Sequence, residues 1–226
     1  MTADGFTVVP VKPDPLRLAV EACAASHRSL EDSLTGLTDA EAARPSLLPD
    51  WSVGHVLTHI ARNADGLARM MEGASRGGVA EMYPGGIEAR NADIESGAGR
   101  SAGDLVADVR AANARLDALF AAASEQTWAG NGETVFGLVP IRDLPVRRRH
   151  EVEIHRVDLG LGYRFSDWPP EFLRAELIAA TGQWASRKPM GLTGLPAAAL
   201  ALSPEDRLAW LIGRLEVDGL SAAGIS

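Results

Sequence analysis

Two histidines and three acids lie within RRRHEVEIHRVDLG, residues 147–160, whose apolar residues are spaced as on a buried helix. Projected at about 100° per residue, Glu151 and His155 fall on one face, about 40° apart. Arg148 and Asp158 share that face, and apolar residues flank it on both edges. An unpartnered buried carboxylate costs several kcal/mol. The pattern therefore predicts a compensating group, and a metal ion suits a carboxylate beside an imidazole.

A further imidazole is available in HVLTH, which belongs to a second predicted helix. His59 lies at the margin of the apolar stripe of that helix, whereas His55 is turned about 40° further toward water. Together with Glu151 and His155, His59 completes a His₂Glu set. Zinc uses this set where it keeps a fourth position open for catalysis, and bundles build metal sites from facing helices.

The Glu-x-x-x-His spacing has a second interpretation, because acids and histidines at this distance often form surface ion pairs. The inward projection and the presence of His59 favour the metal site. We expect His55 to be a partly exposed helix residue and His150 to be packed or capping. For His27, in the first predicted helix, the sequence pattern does not indicate a functional role.

The opposite side of the 147–160 segment is expected to face solvent, and it comprises Arg149, Glu153, Arg156 and Gly160. Arg147 and Arg148 crowd the amino-terminal end of the predicted helix, where cations are disfavoured. We expect them to extend into solvent rather than to be balanced by an anion. Asp158, one turn after His155, suits either the imidazole or a nearby arginine as its partner.

Four long amphipathic helices are predicted to position these residues, and together they indicate an antiparallel four-helix bundle. Ser52 and Ser101 are good N-caps for the second and third, and Pro145 suits the first turn of the fourth. One strand is predicted between residues 124 and 143. Residues 87–99 are a short helix or an irregular connector. The predicted helices span residues 16–37, 53–74, 102–123 and 145–159.

The character of the sequence changes after residue 162. We predict a helix from Glu171 to Ser186, a strand in AAALALS (197–203) and a last helix in PEDRLAWLIGRLE. The fold class is therefore mainly α, with a four-helix bundle followed by a small α+β carboxy-terminal domain. The predicted domain bounds are 1–162 and 163–226.

Composition limits the functional classes. The net charge of -8 argues against a nucleic-acid binder. Cys23 is the single cysteine, which excludes an intrachain disulfide and a multi-thiolate metal site. No signal peptide or membrane-spanning run is recognisable. We therefore predict a cytoplasmic protein, and a monomer because no helix shows a second long apolar stripe.

Three stretches, DWSVGHVLTHIARNADGLARMM, EMYPGGIEARNADI and RRRHEVEIHRVDLG, resemble the mycothiol-dependent maleylpyruvate isomerases of the DinB-like metal-binding bundle superfamily. The resemblance is strongest over residues 50–161, where Trp, His, Arg-Asn and Glu-x-x-x-His elements keep their order and spacing. It implies a DinB-like bundle with His59, Glu151 and His155 as zinc ligands. It also implies that Arg90, and Arg214 in LIGRLEVDGL, bind the acidic substrate.

The activity that the resemblance implies is the conversion of maleylpyruvate to fumarylpyruvate in aromatic catabolism, on the gentisate pathway. A thiolate adds to the cis double bond, the resulting single bond rotates, and elimination returns the trans isomer. An ordinary thiol, with a pKa of about 8.5, is mostly protonated at neutral pH. Zinc would hold the mycothiol sulfur as thiolate, and Arg90 and Arg214 would hold the carboxylates of this dicarboxylate.

Two alternatives remain at this stage. A mycothiol-dependent S-transferase or detoxification enzyme would use the same zinc and thiolate on another electrophile. It predicts that isomerisation does not depend on Arg90 or Arg214. A non-enzymatic metal-binding bundle protein would hold a purely structural ion and show no thiol-dependent turnover.

Overall fold

The long helices begin where the sequence supplies a cap. In the computed structural model, which describes residues 14–189 and 192–223, the side chains of Asp14, Ser52 and Ser101 accept backbone N–H groups of the first turns of three helices. The leading residues 1–13 lie outside the described part. The helices are α1 Pro15–Ser33, α2 Asp39–Ala42, α3 Val53–Ser75, α4 Gly86–Gly97, α5 Ala102–Ala122, α6 Glu125–Trp128, α7 Leu144–Asp158, α8 Pro170–Ser186, α9 Ala197–Leu200 and α10 Pro204–Leu211; the strands are β1 Asn131–Thr134 and β2 Gly137–Pro140.

The chain divides into two units, Met1–Leu159 and Gly160–Ser226. The domain bounds 1–162 and 163–226 stay a prediction. No helix within residues 14–189 and 192–223 is long and apolar enough to cross a membrane.

The first unit is built on α1, α3, α5 and α7. Helix α3 packs against α5 and α7, and α1 packs against the same two helices, which closes a ring of four. Apolar side chains with 0% exposure from these helices form the core, among them Leu30, Leu57, Ile60, Met70, Leu105, Leu116, Leu144 and Val152. The predicted mainly α fold with a helical bundle is confirmed.

Side-chain contacts give the direction of each helix in the ring. Helix α7 runs antiparallel to α3, because His155 meets His59 whereas the earlier Arg148 meets the later Asn63. In the same way α5 runs antiparallel to α1.

The remaining two neighbouring pairs run in parallel. Arg62 of α3 pairs with Asp108 of α5, and the later Glu72 pairs with the later Arg115. Helices α1 and α7 show the same order of contacts. The 26-residue connection between α3 and α5, which contains α4, gives the chain room to return in the same direction.

The connection between α5 and α7 holds a two-stranded hairpin where one strand was expected. β1 and β2 pair antiparallel around the turn residues Val135 and Phe136. The hairpin attaches to the segment after α3, since Met82 N–H donates to the Glu133 carbonyl at 2.7 Å. That segment can approach α3 because Gly66 has no side chain: a Cβ there would lie 3.0 Å from the Met82 carbonyl oxygen.

In the second unit, α8 and α10 pack together, with the rings of Trp184 and Trp210 5.3 Å apart. The predicted helix from residue 171 is confirmed and begins at Pro170. The predicted strand at 197–203 is wrong, because residues 197–200 form α9. A short apolar run suits either structure, and Pro196 at the N-cap starts a helix here.

Candidate metal centre

The antiparallel pair α3 and α7 brings three predicted ligands together. His59 Nε2 lies 3.1 Å from Glu151 Oε2 and 3.0 Å from His155 Nε2. His155 Nε2 lies 3.5 Å from the same Glu151 oxygen. Three donor atoms from two helices therefore converge on one point.

The spacing of these donors suits a metal ion. Ligands held at 2.0–2.1 Å around a tetrahedral zinc ion lie roughly 3.3 Å from one another, and the three observed separations fall on either side of that value. Two imidazoles and a carboxylate are also a donor set that zinc uses when a fourth position stays open. The residues present therefore fit a zinc-type ion.

Asp158 orients one of the imidazoles. Its Oδ2 lies 2.9 Å from His155 Nδ1, and Asp158 is 1% exposed. This contact places the His155 proton on Nδ1 and leaves Nε2 free to act as a ligand, as second partners of metal-binding histidines do. Asp158 therefore contacts the imidazole, which is one of the two partners expected for it.

Arg90, on α4, contacts the other imidazole. Its Nη2 donates to His59 Nδ1 at 2.9 Å, its Nη1 donates to Asn91 Oδ1 at 2.9 Å, and its guanidinium lies 5.9 Å from the Trp51 ring centroid. Because His59 Nδ1 accepts this bond, its proton lies on Nε2, where it faces Glu151. The predicted substrate arginine thus lies beside a predicted ligand.

The pKa values of the three donors are shifted in different directions. Burial lowers the pKa of His59 to about 4, which keeps this imidazole neutral. Burial alone would raise the pKa of Glu151, but hydrogen bonds from His155 and His59 hold it well below its usual value. For His155 the effect of burial is outweighed by Asp158 and Glu151, and its pKa is raised. The carboxylate is therefore ionised and available to a cation.

A cavity of about 350 Å³ opens onto the three donors. Both polar and apolar side chains line it, and the apolar ones include Val135 and Phe136 of the hairpin turn, where Phe136 is 97% exposed. The lining residues are His59, Asn63, Leu67, Met82, Tyr83, Ile87, Arg90, Thr134, Val135, Phe136, Arg147, Glu151 and His155.

Arg147 and Arg148 were both expected to extend into solvent, and this is wrong for Arg148 alone. Arg147 is exposed but lines the cavity. Arg148 is 0% exposed and donates to Asn63, Asn113, His27 and the Ile60 carbonyl at 2.8–3.0 Å. Its acceptors come from α1, α3 and α5, so one guanidinium of α7 joins all four bundle helices.

Glu153 was expected in solvent and is 2% exposed, with its carboxylate accepting from Ser26 Oγ. The cause is the parallel packing of α1 against this side of α7, which the periodicity of one helix does not reveal.

A second cluster contains Cys23, His27 and Asp117. His27 Nδ1 lies 2.9 Å from Asp117 Oδ1, and His27 Nε2 accepts from Arg148 at 3.0 Å. Both ring nitrogens are thereby used, and a cation at Nε2 would face the guanidinium. Burial raises the pKa of Cys23 to about 12, so the thiol stays protonated. The cluster is a buried hydrogen-bond network, and sequence inspection missed it.

The other predicted residues lie outside the donor cluster. His55 caps α3, with Nδ1 accepting from Ser52 N–H, and Nε2 lies 3.2 Å from Glu95. Arg214 lies in the second unit after α10, where Nη1 donates to the Ile212 carbonyl at 3.3 Å. Its role stays a prediction.

The chain is similar to proteins of one known family. The family model described as the mycothiol maleylpyruvate isomerase N-terminal domain matches residues 23–160. A crystal structure of the mycothiol-dependent maleylpyruvate isomerase is similar, with a TM-score of 0.79 and 27% identity over 89% of this chain and 90% of that one. A histidine-to-alanine mutant of that enzyme gives the same values. No curated protein sequence matches the chain. Because the matched segment covers more than half of its length and contains the donor cluster, the chain belongs to the mycothiol maleylpyruvate isomerase family.

Proposed function

We propose that this chain is a zinc- and mycothiol-dependent isomerase that converts maleylpyruvate to fumarylpyruvate. The observation that carries the proposal is the convergence of His59, Glu151 and His155 within a cavity that Arg90 also lines. The family and the similar crystal structure indicate the reaction, and the donor set indicates how a thiol is activated.

The three donors would hold a zinc ion, which when bound supplies a position where a thiol sulfur stays ionised near neutral pH. The chain contributes the protonation states that this needs. Burial keeps His59 neutral, and Asp158 holds the proton of His155 on Nδ1. Glu151, the one acid of the set, is ionised.

Binding through His59 Nε2 requires the His59 proton on Nδ1, the atom that now accepts from Arg90. Arg90 must then give up this bond. Its guanidinium becomes available to an anion in the cavity, so that loading the ligand cluster and freeing the substrate arginine occur together.

The reaction itself needs no net proton and no redox partner. When bound, the thiol would supply reversible addition to the conjugated double bond: the π electrons would move to the carbonyl oxygen while that bond is single and can rotate, and would return as the carbon–sulfur bond breaks. Arg90 opposes the charge on the enolate or a carboxylate. Tyr83 has a pKa raised by burial and remains a hydrogen-bond donor in the cavity.

Arg214 is proposed as a further substrate-binding arginine from the sequence resemblance alone.

The test is an absorbance assay on maleylpyruvate with zinc-loaded protein, with and without mycothiol. We expect conversion to fumarylpyruvate only with the thiol, and its loss in His155→Ala but not in His55→Ala, a histidine outside the cluster. Stable thioether formation with consumption of the thiol would instead identify an S-transferase. Absence of any thiol-dependent turnover would reject both enzymatic functions.

A further inference from the structure

Arg147, Glu151 and His155 occupy every fourth position of α7, and all three line the cavity. Residues four apart lie above one another on a helix face. Arg147 therefore stands one turn from the donor cluster, on its face of α7, whereas Arg148 turns into the core and is 0% exposed.

The two arginines of the cavity differ in what they already bind. Arg90 is engaged with His59 and Asn91 and lies over Trp51. Arg147 makes no hydrogen bond or ion pair with any residue in the ranges 14–189 and 192–223. Its guanidinium is thus available to a ligand in the cavity without breaking a contact.

The charges around the cavity favour an anion with more than one negative group. Among its lining residues the single carboxylate is Glu151, against the guanidinium groups of Arg90 and Arg147. This local excess of cations occurs in a chain whose net charge is -8. Arg147 also lies in the first turn of α7, where the helix dipole favours a bound anion.

We infer that Arg147 binds one carboxylate of a dicarboxylate substrate, while Arg90 serves its other polar end, and that Arg147 thereby selects dianions over monoanions. The guanidinium fork matches a carboxylate through two parallel hydrogen bonds. The identity of the substrate rests on the proposed function, but selectivity for a second carboxylate can be measured without it.

The experiment is a thermodynamic cycle in which the Arg147 side chain is removed from the protein and one carboxylate is removed from the ligand. Calorimetry measures binding of maleate, a cis dicarboxylate, and of its monomethyl ester to zinc-loaded protein without thiol. In the unsubstituted protein we expect maleate to bind about tenfold more tightly than the ester. In Arg147→Gln the preference falls to within about twofold, through loss of maleate affinity with the ester little changed. Arg147→Lys recovers part of the preference, because it keeps the charge but not the fork.

Arg110→Gln is the matched control, since Arg110 is an exposed arginine of α5 that does not line this cavity. It removes the same charge, and we expect it to keep the tenfold preference. Thermal unfolding of each variant checks folding. Equal losses for both ligands in Arg147→Gln, no loss for either, or the same effect in Arg110→Gln would overturn the assignment.

The two proposals fail separately. If the protein shows no thiol-dependent isomerisation but prefers maleate in a way that depends on Arg147, the proposed function is rejected and this inference stands. Where the enzyme is active, Arg147→Gln should raise KM for maleylpyruvate about tenfold with kcat within about twofold. An active enzyme whose KM does not respond to Arg147→Gln would overturn the inference alone.

Discussion

Arg148 Nε lies 3.0 Å from His27 Nε2, so a guanidinium buried in the centre of the bundle donates to an imidazole rather than to a carboxylate. The other ring nitrogen of His27, Nδ1, lies 2.9 Å from the carboxylate of Asp117. On another side, Asn113 accepts from Arg148 and donates to Glu31. The buried charge is therefore balanced through neutral groups that relay it to acids of α1 and α5.

Replacing Arg148 by methionine should destabilise the protein strongly. Four acceptors lose their donor, and Asp117 and Glu31 lose the charge that balances them. Breaking such a buried set costs about 3–5 kcal/mol. Guanidinium chloride unfolding measures the change, and Arg110→Met at an exposed position should stay within about 0.5 kcal/mol. A loss below about 1 kcal/mol for Arg148→Met would show that the network contributes little.

His27 should make stability depend on pH. Burial lowers its pKa below the usual 6.5, so the unfolded chain takes up the proton first as the pH falls. The free energy of unfolding therefore decreases below about pH 6.5, by up to about 1.4 kcal/mol from this residue at pH 5.5. The measurement is denaturant unfolding of metal-free protein at pH 7.5 and 5.5. His27→Gln, which takes up no proton, should lose less stability between the two; equal losses would contradict the assignment.

Each of the three donors should be necessary for metal binding. Protein purified without added zinc should carry about one divalent ion, and His59→Ala, Glu151→Ala and His155→Ala should each lose most of it, because two remaining ligands hold zinc poorly. Metal analysis after dialysis measures the content. His55→Ala removes a histidine that caps α3 and should keep the ion. Stoichiometric metal in the three donor variants would place it elsewhere.

Asp158 should affect the metal affinity of the site without being a ligand. Asp158→Asn weakens the contact that holds the His155 proton on Nδ1. Loss of such a partner lowers metal affinity about 10–100-fold. Competition with a chromophoric chelator measures the dissociation constant. Asp143→Asn changes an exposed acid at the opposite end of α7 and should leave the affinity unchanged; an equal effect of both variants would indicate general electrostatics instead.

Local sequence signals were sufficient for much of this structure. The helical periodicity of residues 147–160 placed Glu151, His155 and Asp158 on one face, and the structure has their side chains in contact. Ser52 and Ser101 cap their helices as their residue types indicate. These features depend on residues only three or four positions apart, which is the range that periodicity describes.

What the sequence did not reveal depends on contacts between distant elements. Glu153 is buried because α1 lies beside α7, and His27 gained its partners only when α5 and α7 came together. Arg147 is exposed as expected, but the sequence does not reveal that it lines a cavity, because other lining residues come from the hairpin and from α4. Helix directions and the second strand likewise depend on how the long connections fold.

The two imidazoles of the donor cluster are 96 residues apart in the chain, and this has a consequence for synthesis. A nascent chain that ends before Glu151 carries His59 but lacks the other two donors. An ion bound by all three donors would therefore be captured only after α7 has been synthesised. From then on, every tenfold excess of free metal above its dissociation constant adds about 1.4 kcal/mol to the native state, so metal supply would govern how long the finished protein escapes proteolysis.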